Sequence, residues 1–122
     1  MSKLKVLYGE LDEEILAAQA EALKQAGYAA QIAVGRKGVQ EALKSASFDL
    51  VLLGATLTRD DRHHLPYMVK KANQATKVLV LHSTHGHPSV DKEIDSPYTL
   101  EKLLETIASL APQKAMAAGA GR

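Results

Sequence analysis

Short apolar runs alternate along the chain with segments whose apolar residues recur every three or four positions. Apolar runs of this length, bounded by glycine and polar residues, are typical of β-strands. They predict four strands at residues 5–8, 29–34, 48–53 and 77–81, and a short fifth strand around residues 93–95.

The helical spacing predicts four helices between and after these strands. The first follows Asp12, a candidate N-cap, and stops before Gly27. The second follows a turn at residues 35–38. The third is expected to begin near His64, because a proline at position 66 is tolerated best within the first helical turn. The last covers residues 100–110 with Thr99 as its cap.

Strands that alternate with helices at this spacing predict an α/β fold, in which right-handed crossovers build a doubly wound parallel sheet. Binding sites in such folds lie at the carboxyl ends of the strands. One domain is expected at residues 1–110, followed by an Ala/Gly-rich tail at residues 111–122.

Composition excludes several classes of function. Fifteen basic and fourteen acidic side chains give a net charge of +1 without a basic block, so no direct nucleic-acid partner is expected. The absence of cysteine excludes disulfides and thiolate metal sites. No apolar run approaches the ~18 residues of a membrane span, and no signal peptide is recognisable, which predicts a soluble, cytoplasmic protein.

Four features together resemble the receiver domains of two-component response regulators. They are the acidic loop after the first strand, the Ala-Leu-Lys-Gln-Ala-Gly-Tyr helix end at residues 22–28, the Phe-Asp-Leu-Val-Leu-Leu third strand at residues 48–53, and the Ser-Pro-Tyr-Thr segment at residues 96–99. The resemblance covers about residues 3–110. It implies a five-stranded flavodoxin-like sheet in the order 2-1-3-4-5, and it suggests a cis peptide bond between Ser96 and Pro97.

The positions that carry phosphorylation in receivers are mostly altered in this chain. Glu10 matches the first of two metal-binding acids, but Leu11 stands in place of the second and Gly54 in place of the phosphorylated aspartate. His82 replaces the hydroxyl residue after the fourth strand, and Ser96 replaces the lysine before the proline. The resemblance therefore implies a non-enzymatic pseudo-receiver without a Mg²⁺ cofactor, which acts through a signalling partner or a homodimer.

The segment from His82 to Ser96 is shorter than receivers need for a fourth helix and a full fifth strand. We expect that helix to be shortened or missing. The strand at residues 77–81 is apolar at every position, so loss of a covering helix predicts an exposed apolar face for self-association or partner binding. Its residues are Val78, Val80, Ile94 and Tyr98.

The alternative function is a small-molecule or metal-binding module. It would use the carboxyl-end cleft around Glu10, Gly54 and Ala55 together with the loop at residues 82–87. The imidazoles of His82, His85 and His87 could hold Zn²⁺ or Ni²⁺, although their spacing matches no established ligand pattern. A hydrolytic enzyme has no supporting set of residues.

Overall fold

The computed structural model describes residues 4–81, 90–94 and 99–110, and within them one parallel sheet carries helices on both faces. The strands lie in the order β2-β1-β3-β4-β5, which confirms the predicted fold class. The strands are β1 (Lys5–Glu10), β2 (Ala29–Val34), β3 (Leu50–Leu53), β4 (Lys77–Leu81) and β5 (Lys92–Ile94). The helices are α1 (Glu13–Gln25), α2 (Gly35–Ser45), α3 (Arg59–Ala72) and α4 (Leu100–Leu110).

Side chains that alternate along the strands divide the core into two layers. One layer packs against α1 and α4, and it includes Tyr8, Leu52 and Leu79. The other packs against α2 and α3, and it includes Leu7, Val51 and Val78. Because successive residues of a strand point to opposite faces, continuous apolar runs such as β3 are what a sheet covered on both faces requires.

Polar caps fix where α1 and α4 begin. Asp12 accepts hydrogen bonds from the backbone N–H groups of Glu14 (2.9 Å) and Ile15 (3.2 Å), which confirms it as the N-cap of α1. Thr99 caps α4 in the same way, accepting from Lys102 N at 3.0 Å. These bonds satisfy N–H groups that have no partner within the helix itself.

The predicted start of α3 near His64 is wrong. The helix begins five residues earlier, at Arg59, because Thr58 caps it by accepting from Asp61 N at 3.1 Å. Pro66 consequently lies in the helix interior, where it has no N–H to donate. Its side chain is buried, and this burial helps to offset the missing hydrogen bond.

Only residues 82–91 separate β4 from β5, and the part of this connection that the structure describes, Val90 and Asp91, contains no helix. Asp91 joins the end of the connection to the rest of the fold. Its Oδ2 accepts hydrogen bonds from Val78 N and from Lys70 Nζ, both at 2.8 Å. Lys70 also donates to Thr76 O at 2.7 Å, so α3 is tied to the start of β4.

The exposed face predicted on β4 and β5 is not found. Val78 and Val80 are fully buried in the layer beneath α3, where Val90 packs against them, and Ile94 is buried with Leu103 of α4. Helices α3 and α4 thus cover both faces of these strands despite the short connection. Tyr98, the fourth residue of that predicted face, lies outside the described residues, as do the Ser96–Pro97 bond and the tail at 111–122.

Replacement of Asp91 by alanine should lower the free energy of unfolding by about 1 kcal/mol, because a backbone N–H of β4 loses its acceptor and the Lys70 ammonium group loses one of its two. Asp91→Asn should cost less, since it keeps an acceptor oxygen. Urea denaturation would measure both, with the exposed carboxylate of Glu41 changed to alanine as the control. Equal stability of Asp91→Ala and the control would contradict this role.

Helix α2 approaches β1 so closely that only glycine fits at position 9. A methyl group on Gly9 would lie 2.6 Å from Val39 Cγ2, in the buried layer. Gly9→Ala should therefore destabilise the fold by about 1–3 kcal/mol. In a Val39→Ala background the same change should cost clearly less, because the clashing atom is gone. Equal costs in the two backgrounds would rule out this contact as the cause.

Candidate functional site

The candidate site lies where β1 and β3 end side by side. β1 continues past the predicted run and ends at Glu10, and its neighbour β3 ends at Leu53. The N–H of Gly54 donates to Gly9 O at 2.8 Å, which holds the two chain segments together just beyond the strands. Glu10 is buried, with 1% of its surface exposed, and it points to the same face of the sheet as Tyr8.

The carboxyl group of Glu10 fills the space that a side chain at position 54 would need. A Cβ atom built on Gly54 would overlap Cδ and both carboxyl oxygens of Glu10. An aspartate at position 54 and the present conformation of Glu10 therefore exclude each other. Glycine at this position is the condition that lets Glu10 occupy the pocket.

Hydrogen bonds hold the carboxyl group of Glu10 in this position. Oε1 accepts from Thr56 N at 2.9 Å and from Thr56 Oγ1 at 2.5 Å. Oε2 accepts from the Tyr8 hydroxyl and, at 3.4 Å, from Gln19 Nε2. We call these four residues, Tyr8, Glu10, Gln19 and Thr56, the Glu10 network. All its donors to the carboxyl group are neutral, and together they offset the cost of burying an acid.

Thr56 connects the Glu10 network to the loop between β1 and α1. Its Oγ1 donates to Glu10 and accepts hydrogen bonds from Leu11 N (2.9 Å) and Asp12 N (3.1 Å). The segment after β3, the end of β1 and the capping residue of α1 are thereby joined through one hydroxyl group. A chain segment held by this many bonds has little freedom to rearrange.

The other predicted site residues fall into two groups. Leu11 lies beside the Glu10 network, but it contributes its backbone N–H and leaves its side chain 45% exposed. Ala55 is half-buried at the same edge. The remaining candidates, His82, His85, His87 and Ser96, lie outside the described residues. Within the described part of the chain, no group of three His, Cys, Asp or Glu residues could hold a metal ion.

Sequence reasoning missed Tyr8, Gln19 and Thr56, because a search for acids, nucleophiles and metal ligands does not select neutral donors. One signal was available. Tyr8 ends the first predicted strand, directly after the apolar pair Val6 and Leu7, and a tyrosine hydroxyl that is buried in a sheet needs a hydrogen-bond partner. The identity of that partner, the acid two residues later on the same face of β1, follows from the strand period of two.

Solved structures similar to this chain are response-regulator receivers. The chemotaxis response regulator CheY4 of Vibrio cholerae matches with a TM-score of 0.77 at 18% identity, over 89% of this chain and 99% of that one. A CheY-like receiver domain protein from Methanospirillum hungatei JF-1 gives 0.77 at 21% identity, over 88% and 93%. The non-phosphorylated HemR receiver domain of Leptospira biflexa gives 0.75 at 22% identity, over 88% and 94%.

These matches show that the chain has the flavodoxin-like fold of receiver domains. No protein-family model matches the chain, and no curated protein matches its sequence. Among the residues that the structure describes, no helix combines the length and the apolar character needed to span a membrane.

The mutual exclusion of Glu10 and a side chain at position 54 can be tested by a double-mutant cycle. Gly54→Ala should lower stability by about 1–3 kcal/mol, because its methyl group displaces the Glu10 carboxyl group from its donors. In a Glu10→Ala background the three atoms that the methyl group overlaps are gone, so the cost should largely disappear. Chemical denaturation of the four proteins gives the coupling, and strictly additive effects would contradict the geometry.

Proposed function

We propose that this chain is a receiver-like signalling module that acts without aspartyl phosphorylation, through contacts with a protein partner or with a second copy of itself. The proposal rests on the position of the Glu10 carboxyl group, which occupies the space that the side chain of an acceptor aspartate at position 54 would need. The chain has the fold of receivers, but its pocket is filled by the Glu10 carboxyl group, which Thr56 holds there by hydrogen bonds.

Phosphoryl transfer depends on positioning and on charge neutralisation, usually by a metal ion. Residue 54 provides no nucleophile, and Leu11 provides no second acid for a metal. The remaining acid, Glu10, has both oxygens engaged by Thr56, Tyr8 and Gln19. Coordination of Mg²⁺ would require those bonds to break, so the proposal includes neither a resident cofactor nor enzymatic activity. It places the module in the cytoplasm.

The alternative, a small-molecule or metal-binding module, has less support. Its cleft was expected around Glu10, Gly54 and Ala55, but the carboxyl group of Glu10 occupies the space beside Gly54. Its histidines, at positions 82, 85 and 87, lie outside the described residues. No contact of the described residues favours this alternative over the first proposal.

The proposal predicts that acetyl phosphate with Mg²⁺ leaves the intact mass of the protein unchanged. The matched positive control is a receiver that keeps its aspartate, treated in the same tube so that donor quality is verified. A thermal melt with Mg²⁺ should likewise show no stabilisation, since a bound ion would raise the melting temperature by mass action. A mass increase equal to one phosphoryl group on this chain would contradict the proposal.

A further inference from the structure

The free edge of the sheet at β2 lacks the charged and proline residues that usually protect an edge strand. β2 is the first strand in the sheet order, and in the described part of the chain only β1 pairs with it. Its six residues, Ala-Ala-Gln-Ile-Ala-Val, include no charge and no proline. Edge strands normally carry lysine, proline or a bulge, because an open row of N–H and C=O groups pairs readily with another strand.

The backbone of β2 shows which residues face outward. Ala29 N donates to Leu4 O at 2.9 Å, toward β1. Since backbone groups of a strand alternate between its two sides, those of Ala30, Ile32 and Val34 point away from β1. Two of these residues carry large apolar side chains that are unusually exposed, 49% for Ile32 and 44% for Val34.

We propose that two copies of the chain associate by antiparallel pairing of β2 with β2, around a two-fold axis at Ile32. Each Ile32 then faces its symmetry mate in a hydrogen-bonded pair, and Ala30 faces the partner subunit's Val34. The contact is self-complementary, as a two-fold interface must be, and it brings no like charges together along the strand. It joins the two five-stranded sheets into one.

Helix α1 adds charge complementarity to this contact. Glu13, Ala17 and Lys24 are exposed and share one face of α1, because they are separated by four and seven residues. Lys24 lines a hollow together with Lys5, Tyr28, residues 29–31 and Phe48, so the last turn of this face lies beside the first residues of β2. The outer face of α1 is therefore acidic at its start and basic at its end.

The two α1 helices would lie side by side in the dimer. α1 packs over β1 and β2. Because adjacent strands are about 4.8 Å apart, the axes of the two α1 helices come within roughly 10 Å of each other, which is an ordinary helix packing distance. They run antiparallel. Ile32 is in register with Tyr8, and Tyr8 contacts Gln19 in the middle of α1. The two-fold axis at Ile32 therefore passes near the middle of α1, between Glu13 and Lys24. Each Glu13 thus approaches the partner subunit's Lys24.

This dimer rests on the proposed function, since it specifies the self-association through which a receiver without a phosphate switch could act. Sedimentation velocity of the full chain over roughly 1–500 μM should show a reversible dimer. Ile32→Lys places two ammonium groups on the axis and should weaken the dimer at least tenfold. The matched control is Leu100→Lys, an equally exposed apolar residue on α4, which should leave it unchanged. A monomeric parent protein, or equal effects of the two variants, would overturn the proposal.

A charge swap tests the arrangement without touching the strand. Glu13→Lys and Lys24→Glu should each weaken the dimer at low salt, because each places two like charges next to each other across the interface. The double variant restores opposite charges and should associate as the parent protein does. Circular dichroism would verify that each variant is folded. If the double variant associates no better than the single variants, the two-fold model at Ile32 is wrong. A phosphoryl adduct on a dimeric protein would instead defeat the proposed function and leave the dimer standing.

Discussion

The hydrogen bonds between Glu10 and Thr56 are the interaction on which the site depends. They bring together the end of β1 and the segment after β3, two parts of the chain that are 46 residues apart. Through the hydroxyl of Thr56 they also fix the loop that leads into α1. A buried carboxyl group is costly without such partners, so the pocket, the loop and the start of the helix are stabilised together.

The same network explains how the sheet stays well packed where β1 and β3 end. With glycine at position 54, a cavity would remain beside β1 if nothing filled it. The carboxyl group of Glu10 fills that space. Positions 10 and 54 are therefore coupled physically: glycine at 54 permits the Glu10 conformation, and the Glu10 conformation disfavours any larger residue there.

The short connection between β4 and β5 follows a similar logic at the other side of the sheet. Asp91 supplies an acceptor to Val78 and Lys70, so a polar contact ties the connection to β4 and α3. Val78, Val80 and Ile94 are covered, and the expectation of an open face there was wrong because helices α3 and α4 reach both sides of these strands. Among the described strands, the large exposed apolar side chains lie instead on β2, at Ile32 and Val34.

The sequence by itself determined the element order, the strand positions and the caps at Asp12 and Thr99, because these follow from local periodicity and short-range hydrogen bonding. It also showed that residue 54, a glycine, has no side chain that could accept a phosphoryl group. Only the tertiary structure decided what occupies that pocket, since contacts of Glu10 with Thr56 and Gly54 depend on the lateral packing of β1 against β3. Burial of Val78 and exposure of Ile32 were decided in the same way, because apolar strands look alike until their position in the sheet is known.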